Sequence, residues 1–127
     1  MLSLLLATSL AAQSVPGPPG RGISESLARE RAGAIRALRY ELAFVVPSER
    51  REAVQGRATL RFSLAAPHRI VLDFAQPRDR IRSVRVGGAD VAFEFADGHL
   101  TIPAHATRAG ENEIAGYPRN YFHAIEN

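Results

Sequence analysis

Four histidines, three acids near strand ends, two serines and a run of arginines are the residues of this chain whose chemistry could exceed fold-keeping. The histidines are His68, His99, His105 and His123. A zinc site needs three or four ligands at suitable spacing. His99 and His105 flank a strand and a turn, with no acid at metal-ligand spacing beside them. His123 and Glu126 stand three residues apart and would share a helix face, but that pair supplies two ligands. Asp73, Glu94 and Asp97 could work as a general acid and base only if a cleft set two of them face to face. Nothing in the sequence forces that, and solvated strand ends account for them. Ser63 and Ser83 fall within strands, outside any nucleophile elbow. The expectation is a chain with no catalytic, metal or cofactor-binding residue of its own.

The run Arg78-Asp79-Arg80-Ile81-Arg82-Ser83-Val84-Arg85 is the densest basic stretch of a chain of net charge +3. Read at strand period, Arg78, Arg80 and Arg82 line one face and Arg85 turns to the other. No aromatic residue lies among them to stack on a base. All 16 basic residues are arginine and lysine is absent, which reads as a compositional bias of the whole chain. A solvated edge, guarded by charge against strand pairing, is expected there, and no nucleic-acid partner.

The elements that would position these residues follow from period and punctuation. Ser24 is placed to cap a helix, with Glu25 at the positive end of its dipole. Leu27, Arg31, Ile35 and Leu38 then share a thin stripe, so a short helix lying on the domain is expected. From Arg39 the period becomes two. Tyr40, Leu42, Phe44 and Val46 point one way and Glu41 and Ala43 the other, until Pro47. After the charged turn Ser48–Glu52, Ala58, Leu60, Phe62 and Leu64 alternate with Arg57, Thr59, Arg61 and Ser63, completing a hairpin. Leu42, Phe44, Leu60, Phe62, Leu72 and Phe93 are expected in the core, and Arg57 and Arg61 in solvent. Ile70-Leu72-Phe74 and Ile81-Val84-Val86 give two more strands. Val91-Phe93-Phe95 and Leu100-Ile102 form a second hairpin about Asp97-Gly98. Six or seven short strands with this parity specify an all-β antiparallel sandwich with a short N-terminal helix.

At 127 residues, 46% of them hydrophobic, the chain has material for one domain. The absence of cysteine excludes disulfides and thiolate metal sites. Residues 1–12 form an apolar segment too short to span a bilayer, with Ser9-Leu10-Ala11 as a cleavage box. They read as a signal peptide that exports the chain to the periplasm or the extracellular space, although no basic residue precedes Arg21. Residues 13–21 hold three prolines and two glycines and read as a linker. The domain then covers 22–115, and 116–127 read as an irregular tail because Gly116 and Pro118 interrupt a ladder strand.

The lead-in Gly22–Arg31, the strand Leu38-Arg39-Tyr40-Glu41-Leu42-Ala43-Phe44, the strand Gly56-Arg57-Ala58-Thr59-Leu60-Arg61-Phe62, the strand Ile70-Val71-Leu72-Asp73-Phe74 and the stretch Gly110-Glu111-Asn112-Glu113-Ile114 occur in that order. In order and wording they resemble the opening of the N-terminal β-domain of the M1 (gluzincin) family, the aminopeptidase N-like zinc metallopeptidases. The resemblance covers Gly22 to Ile114 and rests on fold-forming stretches alone. It implies a saddle-shaped β-sandwich, incomplete here, that packs against a thermolysin-like catalytic domain and helps wall its substrate cleft. That family cuts with an H-E-x-x-H helix and binds the substrate amine with a G-x-M-E-N loop. This chain has neither, and its one methionine is Met1. The zinc would belong to a catalytic domain absent from this chain, and that domain would be the partner. After Ile114 the sequence leaves the family's pattern, which reads as a truncated or frameshifted product. The rival expectation is a free-standing exported β-sandwich that binds protein or glycan.

Overall fold

The computed structural model describes residues 17–118, so the signal-like segment and His123 lie outside the described residues. Helix α1 spans Glu25–Ala34, started by Ser24, whose side chain accepts from the Leu27 N–H at 3.2 Å. It buries one residue, Leu27, as its thin stripe allows. Ile35 then turns extended and the chain enters β1, Arg36–Val45. The hairpin forms with β2, Gln55–Leu64, in a register that sets Tyr40 against Leu60 and Leu42 against Ala58. A bulge falls between Arg36 and Arg39, where Ala37 takes φ 51°.

The remaining strands are β3 Ile70–Asp73, β4 Ile81–Val86, β5 Ala89–Asp90, β6 Glu94–Ala96, β7 His99–Ile102 and β8 Gly110–Pro118. They make two antiparallel sheets, a five-stranded one ordered β1-β2-β8-β4-β5 and a three-stranded one ordered β3-β7-β6. Asp97 and Gly98, at φ 51° and 81°, supply the two left-handed residues of the tight β6–β7 turn. The sheets meet through alternate residues: Leu60, Phe62, Leu64, Ile81, Val84 and Ile114 from the larger, Ile70, Leu100 and Ile102 from the smaller. Phe62, Ile70, Ile102 and Ile114 are the largest side chains sealed completely. The protein is an all-β antiparallel sandwich with one short helix.

Several expectations are corrected in detail. Leu42 and Phe44 have the inward parity but not the burial; they are 57% and 50% exposed. The larger sheet has five strands and the smaller three, and the smaller one ends at β3 before it reaches across β1. Leu72 and Phe93 pack on the core only in part. Arg57 is exposed, but Arg61 is half-buried between two acids. Gly116 does not interrupt the last strand, and Pro118 is its last residue. β8 runs to Pro118 and sits between β2 and β4, where Gly116 pairs with Ala58 on one side and Val84 on the other. A glycine in a central strand costs entropy but removes no donor, and here both neighbours hold it. The edges of the larger sheet are therefore β1 and the short β5, and β8, which holds Gly110–Ile114, is an interior strand. Arg78 and Arg80 lie in a 3₁₀ turn before β4, so they do not share a strand face with Arg82.

Candidate functional site

The edge strand β1 builds the first feature. Tyr40 and Leu42 lie on the core-facing side of the larger sheet, one strand further out than Leu60 and Ala58. With no fourth strand beyond β3 among the described residues, they form one wall of an open apolar slot. Its main hollow has a volume of about 330 Å³ and is lined by Tyr40, Leu42, Leu60, Leu72, Phe74 and Ile114, among others. A neighbouring hollow of about 300 Å³ shares Tyr40, Leu60 and Leu72 and reaches Ile35 and Leu38 where α1 passes into β1. Tyr40 is 63% exposed on this wall. The slot offers chiefly apolar contact area, with the ion-paired Asp73 and Arg31 among its lining residues.

The second feature is a polar network on the other face of the smaller sheet. Asp73 and His99 are register partners on β3 and β7. His99 is 3% exposed, with Nδ1 3.0 Å from Asp73 Oδ1. That approach is short but poorly aligned for a hydrogen bond, so the contact is chiefly electrostatic. Nε2 faces the backbone carbonyls of Gly20 at 3.0 Å and Gly22 at 2.9 Å. Arg31 of α1 grips Asp73 with two parallel bonds of 2.9 and 2.7 Å. The Arg31 guanidinium, and more weakly His99, holds the Asp73 carboxyl below its usual range against the cost of burial. Next to Arg31 on α1, Glu30 accepts Nε and Nη2 of Arg69, both at 2.9 Å, and meets His68 Nε2 at 3.1 Å. The Arg69 bonds come first among the causes that keep the Glu30 carboxyl below its usual range. Arg69 also donates to Gly17 O at 2.9 Å. Residues 17–21, expected as part of a linker over 13–21, are thus strapped to the domain together with Gly22 through the carbonyls of Gly17, Gly20 and Gly22.

Charge on the outer face of the larger sheet is paired along the rungs. Arg61 donates to Glu41 at 3.0 Å and Glu113 at 2.9 Å, and Ser63 donates to Glu111 at 2.9 Å. Arg78 lies over the Phe93 ring, 4.3 Å from its centroid, a cation–π contact between residues that no local pattern links.

The structure distributes the sequence candidates widely. His68 and His99 enter separate networks, while His105 sits exposed in the 3₁₀ turn Ala104–Ala106. Asp73 meets His99, whereas Glu94 and Asp97 stay exposed at the β6 end. Glu30 and Arg31 were missed, because a helix signal does not say which distant strand the helix will lie on. The adjacent pairs Glu30-Arg31 and His68-Arg69 were the only hint. Among the described residues no group of three or more His, Asp or Glu could hold a metal ion, and no helix is long and apolar enough to cross a membrane. Compared with protein-family models, with curated proteins and with solved structures, the chain matches none.

Proposed function

We propose that this chain is a non-catalytic packing domain, equivalent to the first part of the N-terminal β-domain of an M1-type zinc aminopeptidase. It is exported, and it works by presenting the apolar wall of β1 to the rest of such a protein. The parent would remove N-terminal residues from peptides, with zinc in its own catalytic domain. One observation carries this reading: Tyr40, Leu42 and Phe44, in an alternating strand, face the sandwich side of the sheet and remain half or more exposed. A contiguous apolar strip of that kind marks a surface that something else covers. The order of fold-forming stretches from Gly22 to Ile114 supports the choice of family.

The test is sedimentation of the chain lacking residues 1–12, alone and with a separately produced remainder of an M1-type peptidase. Association of the isolated chain, suppressed by the remainder or by Leu42→Thr, is the expected result. A monodisperse monomer with cooperative unfolding and uniform amide protection would replace this reading with a free-standing sandwich that binds protein or glycan. The ready-made hollow of about 330 Å³ favours that second reading, since ligand sites are usually preformed clefts of this order.

A further inference from the structure

We propose that the edge strand β1 pairs with β1 of a second copy of this chain, antiparallel and about a twofold axis at Tyr40, so that each Arg39 stands opposite the partner's Glu41. The dimer rests on the reading that the β1 wall is a surface to be covered, and it names the cover the chain finds when alone. β1 ends the larger sheet, so its outward N–H and C=O groups face no strand among the described residues. Two identical edges continue a sheet antiparallel about an axis perpendicular to it, which keeps both apolar faces on one side. That symmetry places the axis on a residue. The bulge between Arg36 and Arg39, with Ala37 at φ 51°, breaks the straight edge below Leu38. Tyr40, Glu41 and Leu42, at the middle of the remaining run to Val45, are the residues on which the axis can fall.

Charge chooses among the three. An axis on Glu41 sets two carboxylates against each other, which destabilises a strand pair. An axis on Leu42 sets Glu41 against the partner's Ala43 and Arg39 against the partner's Val45, so no acid meets a base. An axis on Tyr40 sets Arg39 against the partner's Glu41 twice, once from each copy. It also sets Leu38 against the partner's Leu42 on the apolar face, where Leu38 and Tyr40 line one hollow. Within one copy, Arg39 stands across from the like-charged Arg61, and its contact with Glu111 is long at 3.7 Å. Arg61 is already held by Glu41 and Glu113, and Glu41 keeps an exposed carboxylate. The pairing therefore completes a rung that runs Glu113, Arg61, Arg39 and the partner's Glu41. On the other face, the exposed Tyr40 and Leu42 of both copies gather into one apolar strip.

The full chain has no cysteine, so single cysteines at positions 40, 41 and 42 locate the axis by mild oxidation. A residue on the axis meets its own counterpart within disulfide reach, whereas one residue off it the two are diagonal neighbours about 7–8 Å apart. Tyr40→Cys should therefore form crosslinked dimer about tenfold faster than Glu41→Cys or Leu42→Cys. Arg39→Glu and Glu41→Arg should each weaken association about tenfold or more in sedimentation, since each sets like charges opposite. An equimolar mixture of the two should restore it, because every charged β1 contact is then acid to base. Unchanged amide protection at Phe62 and Ile114 certifies each variant's fold. Fastest crosslinking at position 41 or 42, charge variants that associate like the parent chain, or a mixture that stays monomeric would overturn the dimer while leaving the covered wall in place. A parent chain that stays monomeric would overturn both.

Discussion

Leu42 on β1 and Leu60 on β2 lie on the same face of one sheet, on neighbouring strands, yet the first is 57% exposed and the second 8%. Their strands carry the same alternation of apolar and polar residues. What differs lies outside both strands: β2 looks across at Ile70 and Ile102 of the smaller sheet, while β1 looks past its last strand. Period two specifies which face of a strand is apolar. It says nothing about whether another layer stands opposite. The uncovered β1 is thus a consequence of strand count in the two sheets, not of a weaker sequence signal.

The sharpest way to break this comparison is to truncate both strands. Phe62→Ala should cost about 3–5 kcal/mol, as for a sealed aromatic in a packed core. Phe44→Ala, equal in chemistry, should cost about 1 kcal/mol or less because most of its surface stays in water. Urea melts of the two variants measure the difference. Equal losses would mean that β1 is covered in solution, by a second copy or by another part of the chain.

A middle-sized effect separates the two faces of the smaller sheet. Glu30 is mostly buried under two bonds from Arg69, so Glu30→Ala should cost about 1.5–3 kcal/mol, the range for bonds to charged groups. The carboxyls of Glu30 and Asp73 both lie below their usual range in the fold, through Arg69 and Arg31 respectively. Their contribution is therefore complete above the unfolded carboxylate value of about 4 and is lost as pH falls through the lower folded one. Wild type should therefore be more stable than Glu30→Gln above about pH 4, and the gap between them should close as acid protonates Glu30. A gap that persists unchanged into acid would remove the Glu30 charge from the account.

The wall of β1 should respond in association rather than stability. Leu42→Thr keeps β-propensity and removes apolar surface, so the melting midpoint should move little while the sedimentation profile shifts toward monomer. A fall in stability with unchanged association would show that Leu42 works as a core residue after all.

Much of this was legible in the chain. The parity of Ala58-Leu60-Phe62-Leu64 located the core side of β2, Ser24 located the start of α1, and Asp97-Gly98 located the β6–β7 turn. Each is a local signal with a local cause. Gly116 misled for a related reason: its propensity is local, and a strand flanked on both sides overrides it, while Pro118 sits at the strand's end with β4 alone beside it. The Arg31–Asp73–His99 network was illegible because its members are 42 and 26 residues apart and meet only once α1 has chosen a sheet. Charge pattern alone gave no reason to prefer Asp73 over Glu94 as the partner of a histidine.

The smallest expected effect sits on the outer face of the larger sheet, where β1 and β2 are alike in being solvated. Arg61 bridges Glu41 on β1 and Glu113 on β8. Its removal leaves both acids without that partner, while Arg39, its register neighbour on β1, keeps its own contact with Glu111. Exposed pairs of this kind are weak and screened by salt. Arg61→Leu should therefore be slightly less stable than wild type at low ionic strength, and the gap should close as salt is added. The same substitution removes the Glu41 link from β1 while the Arg39–Glu111 pair stays, so amide exchange in β1 should speed up more than in β8. If exchange rises equally in both strands, the ladder holds the sheet as one unit, and the isolation of β1 is a matter of its apolar face alone.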